Sequence, residues 1–125
     1  MIRGLHHVSL KCSTPAELEE TRRFYCDVLG LRLHRQWPAG MLLDTGSGLI
    51  EVFLGEGGIR AKGAVRHLAL ACSDVDAAAE AVRWDGRTVF IGPKEIELPS
   101  DPPVRARMAF CIGPLGEEIE FFDEH

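Results

Sequence analysis

His7-Val8-Ser9-Leu10-Lys11-Cys12-Ser13 returns sixty positions later as His67-Leu68-Ala69-Leu70-Ala71-Cys72-Ser73. A second echo closes each half, Ile50-Glu51-Val52-Phe53 against Ile119-Glu120-Phe121-Phe122. Each half therefore opens with a histidine and closes with a glutamate, both on runs that alternate like strands. An internal repeat of this period predicts two copies of one supersecondary unit, each covering its greasy face in the same way.

Working outward, the chain of 125 residues is expected to be a single domain, 1–125, built from a first module (4–55) and a second (64–125). The glycine-rich stretch 56–63 reads as the linker between them. With 46% hydrophobic and 26% charged residues, the composition is that of a globular protein. A net charge of −5 without a basic run argues against a nucleic-acid partner. No apolar stretch approaches the roughly 20 residues that span a bilayer, so no membrane is expected. Met1-Ile2-Arg3-Gly4 runs straight into the first strand, leaving no room for a signal peptide, and a cytoplasmic protein is expected. Cys12, Cys26, Cys72 and Cys111 stand far apart and read as reduced, small core residues.

Both modules read as βαβββ, an α+β fold. In the first, a strand over 4–12 is followed by a helix that Thr14, Pro15 and Glu17 announce as cap, first position and capping-box partner. Leu18, Thr21, Phe24, Tyr25 and Val28 share its buried face, and Gly30 supplies the left-handed stop. Strands over 31–36, 41–44 and 49–54 complete the module. In the second, a strand over 65–72 leads to a helix capped by Ser73 or Asp74 and ending near Gly86, then strands over 88–91, 105–112 and 118–122. The four prolines between Gly92 and Val104 make that stretch a loop, with a short extended piece over 95–98, that could overhang a site.

Alternation then assigns faces. Val8, Leu10 and Cys12 oppose His7, Ser9 and Lys11, and Leu68, Leu70 and Cys72 oppose His67, Ala69 and Ala71. Ile50, Val52 and Leu54 oppose Glu51 and Phe53; Ile119 and Phe121 oppose Glu120 and Phe122. One face of each module is thus for its helix. The other carries the histidine and the glutamate, and two copies bring the donor set of a divalent metal site.

Several residues keep a plain alternative. His6 alternates toward the helix side and reads either as structural or as a support to a neighbouring ligand, while His34 and His125 read as solvated. Lys11, Arg105 and Arg107 are either ordinary surface charges or holders of an anionic substrate. Phe53 and Phe122 either wall a substrate cavity or fill core. Trp37 either closes over a cavity or covers a sheet edge.

The chain resembles the vicinal-oxygen-chelate superfamily, which includes glyoxalase I, methylmalonyl-CoA epimerase, extradiol dioxygenases and antibiotic-resistance proteins. The likeness lies in Leu5 to Leu10, Phe24-Tyr25-Cys26-Asp27-Val28-Leu29-Gly30, Gly48 to Phe53, Arg66 to Cys72, and Gly113-Pro114-Leu115-Gly116-Glu117-Glu118-Ile119-Glu120. It implies two tandem βαβββ modules forming a curled sheet around a central metal site. It places the metal ligands at His7, Glu51, His67 and Glu120, and implies one divalent ion, Zn, Ni, Co, Mn or Fe. Glutamate at position 51 looks more like glyoxalase I than like the epimerase. Where glyoxalase I often carries an arginine and a glutathione-holding asparagine, this chain has Lys11 and Gly55, so glutathione itself is not implied.

Two imidazoles and two carboxylates suit a borderline divalent ion that polarises a substrate carbonyl. A glutamate at the edge of the shell can then act as the base, with Glu120 expected in that role and Glu51 as the alternative. The expected activity is that of a metal-dependent lyase or isomerase of the glyoxalase I type, acting on a small oxygenated molecule held by Lys11, Phe53, Arg107 and Phe122. The alternatives are an epimerase, a dioxygenase, or a non-catalytic protein that traps a small molecule such as an antibiotic. Open sheet edges further predict a homodimer.

Overall fold

The computed structural model describes Met1, residues 3–56 and residues 63–125. The chain divides into two compact units, Met1–Arg60 and Ala61–His125. Most of the expected linker, residues 57–62, lies outside the described residues.

The first unit runs β1 (His7–Cys12), α1 (Pro15–Arg22), a π-helical continuation (Arg23–Val28), β2 (Arg32–Trp37), β3 (Gly40–Asp44) and β4 (Leu49–Leu54). Its sheet has the order β1-β4-β3-β2, with β1 parallel to β4 and the remaining pairs antiparallel. The start of α1 follows from its residues. Thr14 Oγ1 accepts from the Glu17 amide at 3.1 Å, and the Glu17 carboxylate accepts from the Ser13 amide at 2.8 Å. Gly30, at φ 81°, ends the helical stretch in the left-handed region. Thr21, Phe24 and Tyr25 are fully buried with Cys12, Leu43 and Val52, so this face of the helix covers one face of the sheet.

The second unit repeats the order with β5 (Leu68–Ala71), α2 (Val75–Trp84), β6 (Val89–Leu98), β7 (Val104–Ile112) and β8 (Glu118–Glu124). Its sheet order is β5-β8-β7-β6, again with one parallel pair, β5 with β8. Asp74 caps α2 by accepting from the Ala77 amide at 2.9 Å. Val75, Ala79 and Val82 recur at helical spacing and are buried with Ala109, Cys111 and Ile119. The fold is α+β, with the βαβββ order expected for both halves.

Two expectations need correction. The strands β1 and β5 are shorter than expected, beginning at His7 and Leu68 rather than near residues 4 and 65. More important, Gly92 to Lys94, expected to be loop, are strand and run on into the extended piece expected over 95–98. Ile91 pairs with Phe110 and Lys94 with Met108, so Gly92 and Pro93 stand together opposite Ala109. This bulge takes Pro93 out of the ladder, where its missing N–H costs nothing, and the strand resumes. Gly92 is required there: φ is 72°, and a Cβ would stand 2.5 Å from the Met108 carbonyl oxygen.

All four cysteines are free thiols, and Cys12 and Cys111 are buried. Burial pushes the Cys111 thiol up to about 12. No helix among the described residues is long and apolar enough to cross a membrane.

Candidate functional site

In each module the parallel strand pair sets the histidine diagonal to the glutamate. Ser9 is the register partner of Glu51, two residues beyond His7; Ala69 is the partner of Glu120, two residues beyond His67. Side chains two apart on one strand share a face, which puts His7 beside Glu51; His67 stands one residue ahead of β5 and still reaches Glu120. His7 Nε2 stands 4.0 Å from Glu51 Oε1. His67 Nε2 stands 3.1 Å from Glu120 Oε2.

Exposure separates the two donor types. The imidazoles remain open, at 39% for His7 and 38% for His67, whereas Glu51 and Glu120 are drawn in to 27% and 12%. Each pair thus presents a nitrogen and an oxygen side by side on the face away from its helix. Imidazole and carboxylate are competent donors for a borderline divalent ion, and the two pairs together have the composition expected of such a site. Among the described residues no three His, Cys, Asp or Glu side chains are grouped as one metal cluster. Each module by itself supplies two donors.

Local partners differ between the pairs. Ser9 Oγ donates to Glu51 Oε1 at 2.8 Å. His6 Nδ1 lies 3.0 Å from His7 Nδ1, the rings meeting edge to face. His6 was expected to face the helix; its ring instead lies against His7, one residue ahead of β1. In the second module the partner of the imidazole is aromatic. The Phe110 ring meets His67 edge to face with centroids 5.0 Å apart, and Phe90 packs against Phe110 in turn.

Phe110 escaped the reading of the sequence, although a signal existed. It is the register partner of Glu120, and the short turn from Gly113 to Glu117 fixes that register. Counting back across the turn would have placed Phe110 on the glutamate face, and Arg107, three residues earlier, on the other.

That is where Arg107 lies. It does not share the face of Glu120; its guanidinium grips Asp76 on α2, with Nη2 donating at 2.7 Å, and reaches Glu95 at 3.4 Å. Arg107 holds the Asp76 carboxyl below the usual carboxylate range. Arg105 pairs with Glu97 at 3.7 Å, and His125 with Glu95 at 3.0 Å. Lys11 is on the glutamate face of its module, but Nζ donates to the Glu56 carbonyl at 2.8 Å. Its stem fills the space beside Gly55, where a Cβ would stand 2.6 Å from Lys11 Cδ. Glycine at 55 therefore goes with the lysine at 11.

Phe53 and Phe122 are half-buried on the glutamate faces, as alternation placed them. Phe122 joins Ala69, Ala71 and Ser73 around an open recess of about 720 Å³ in the second module. Trp37 lies over Gly40 of its own hairpin, where a Cβ would meet the indole at 2.7 Å.

A sequence model described as the Glyoxalase/Bleomycin resistance protein/Dioxygenase superfamily matches residues 4–121. No curated protein gives a significant match. Among solved structures, a glyoxalase family protein from Bacillus anthracis is 23% identical, with a TM-score of 0.74 over 100% of this chain and 98% of the other. The trypanothione-dependent glyoxalase I of Leishmania major is 19% identical, with a TM-score of 0.75 over 98% and 87%. A lactoylglutathione lyase from Agrobacterium tumefaciens is 15% identical, with a TM-score of 0.67 over 98% and 95%. At these identities the likeness is one of fold.

Proposed function

The chain belongs to the glyoxalase/bleomycin resistance protein/dioxygenase superfamily, and from that membership we propose that it is a divalent-metal-dependent lyase or isomerase of the glyoxalase I type. The observation that carries this reading is the repeated donor pair, His7 with Glu51 and His67 with Glu120, each on the face its helix leaves open. The four side chains would hold one ion of Zn, Ni, Co, Mn or Fe(II), whether both pairs come from one chain or from two. Such an ion, when bound, polarises a substrate carbonyl and stabilises the charge left when a neighbouring C–H proton departs.

The chain's own groups do the rest. Glu120 takes the proton from one carbon and returns it to the next, which a carboxylate can do when the donor and acceptor carbons lie within its swing. Its geometry favours it over Glu51, because Ser9 ties Glu51 Oε1 while position 69 offers Glu120 no hydroxyl. Phe110, beside His67, and Phe122, two residues beyond Glu120, supply apolar surface that keeps water from the reacting carbons.

The substrate class follows from where the cations went. Lys11 donates to the Glu56 carbonyl, Arg107 to Asp76, and Arg105 pairs with Glu97, so each of the three candidate holders of an anionic group already has a partner. A small oxygenated aldehyde adduct or hydroxy-carbonyl fits this better than the two carboxylates of glutathione. A homodimer in the cytoplasm belongs to the same reading.

Elemental analysis of untagged protein, followed by a panel of hemithioacetals made from small thiols and from glutathione, tests the proposal. About one divalent ion per site and turnover of the smaller adducts is the expected result. Protein that neither carries nor takes up metal would end this reading and leave a small-molecule binding protein.

A further inference from the structure

Both donors of the first module have a side-chain partner that the second module lacks. His6 Nδ1 is 3.0 Å from His7 Nδ1, and Ser9 Oγ is 2.8 Å from Glu51 Oε1. The equivalent positions of the repeat are Arg66 and Ala69. Arg66 turns back to the Gly63 carbonyl, 3.5 Å away, and Ala69 has nothing to donate.

We infer that His6 and Ser9 are positioning residues that set the His7–Glu51 pair for a divalent cation before it arrives. The inference rests on the four-ligand reading above. Two imidazole nitrogens 3.0 Å apart form a hydrogen bond only when one carries a hydrogen and the other is bare. A ligating nitrogen must also be bare. The nitrogen of His7 nearest Glu51 is Nε2, so Nε2 is the one left for the ion and Nδ1 holds the hydrogen. His7 therefore donates from Nδ1 to His6, whose own hydrogen sits on Nε2. This contact selects the tautomer and fixes the ring plane together, the service that an outer hydrogen bond gives a ligating histidine.

Ser9 acts on the other donor. Its hydroxyl occupies one lone pair of Glu51 Oε1 and fixes the carboxylate rotamer, leaving Oε2 open. In the second module, His67 Nε2 is already engaged with Glu120 Oε2 at 3.1 Å, a contact that an ion has to part. The first module offers the readier pair.

Two measurements on the whole chain test this. In metal-free protein, long-range ¹⁵N–¹H correlation should report His7 as the Nδ1–H tautomer and His6 as Nε2–H. Zn²⁺ titrated against a chromophoric chelator should bind the His6→Phe and Ser9→Ala variants about ten- to hundredfold more weakly than the unsubstituted chain. His6→Asn, whose carbonyl can accept the same hydrogen, and Ser9→Thr should recover most of that loss. Both positions changed, His6 and Ser9, are exposed, so unaltered thermal melts are expected and separate loss of binding from loss of fold. His7 found as Nε2–H overturns the inference. So does undiminished Zn²⁺ binding in both variants, which leaves the four-ligand reading standing. No Zn²⁺ uptake by the unsubstituted chain overturns both together.

Discussion

His67 Nε2 and Glu120 Oε2 stand 3.1 Å apart, closer than the 4.0 Å between His7 and Glu51 in the first module. Glu120 has no serine beside it, so its carboxylate is held by a group that a metal would also claim. On the proposed reading, an ion that claims His67 would release Glu120, and Glu120 is assigned as the base for that reason. Glu120→Gln should lower kcat by about 10²- to 10⁴-fold at saturating metal, since an amide cannot accept the proton. Glu51→Gln should weaken metal binding more than it lowers kcat. Parallel measurement of kcat and metal stoichiometry decides between them, and equal kcat losses would end the assignment of Glu120.

Arg107 pairs with Asp76 on α2 and reaches Glu95. Its hydrogen bonds to Asp76 depress the Asp76 carboxyl relative to an unfolded chain. A depressed acid contributes stability above its unfolded value, near about 4, and loses it as pH falls through the lower folded value. Asp76→Asn should therefore lower Tm slightly at neutral pH, and the gap to the unsubstituted protein should close in strong acid. The pair is solvent-exposed, so added salt should shrink the gap as well. A gap that persists unchanged into acid would show that the ion pair is not its source.

How much was legible in the sequence depended on how local each signal was. The helix starts were readable because Thr14 and Asp74 act on amides three residues away. The faces of β1, β4 and β8 were readable because alternation is a property of one strand, and so the His and Glu pairs were found. The contacts of Arg107 were not legible, because its face depends on the register of β7 against β8 and its partner Asp76 lies 31 residues away. The strand beyond Ile91 was hidden by its prolines, since nothing local says that pairing with β7 will absorb Gly92 and Pro93 as a bulge. The contact of His6 with His7 was not legible, since alternation says nothing of a ring that turns onto its chain neighbour.

The cysteines offer a readout of packing. Cys12 and Cys111 are buried, whereas Cys26 and Cys72 are half-buried. Thiolate is the reactive form, and burial raises the Cys111 thiol to about 12, leaving almost none ionised near neutrality. Timed alkylation with iodoacetamide at about pH 8, near the free thiol's ordinary value, should label Cys72 ahead of Cys12 and Cys111. Peptide mass spectrometry reads the order. Full and equal labelling in the absence of denaturant would mean that β1 and β7 are not packed against their helices as described.

The bulge in β6 makes the sharpest claim about the fold. At Gly92 any side chain meets two obstacles together, a φ of 72° and the Met108 carbonyl 2.5 Å from the new Cβ. The first costs about 1–2 kcal/mol for an L-residue. The second is backbone, which cannot swing aside as a flexible side chain would. Gly92→Ala should therefore destabilise the protein by about 2 kcal/mol or more, seen as a lower midpoint in urea at unchanged slope. Gly63→Ala provides the control, because its Cβ would meet nothing within 4 Å and no left-handed φ is involved. Equal midpoints for the two variants would mean that β6 does not run through Gly92, and that the proline-rich stretch is the loop its composition suggests.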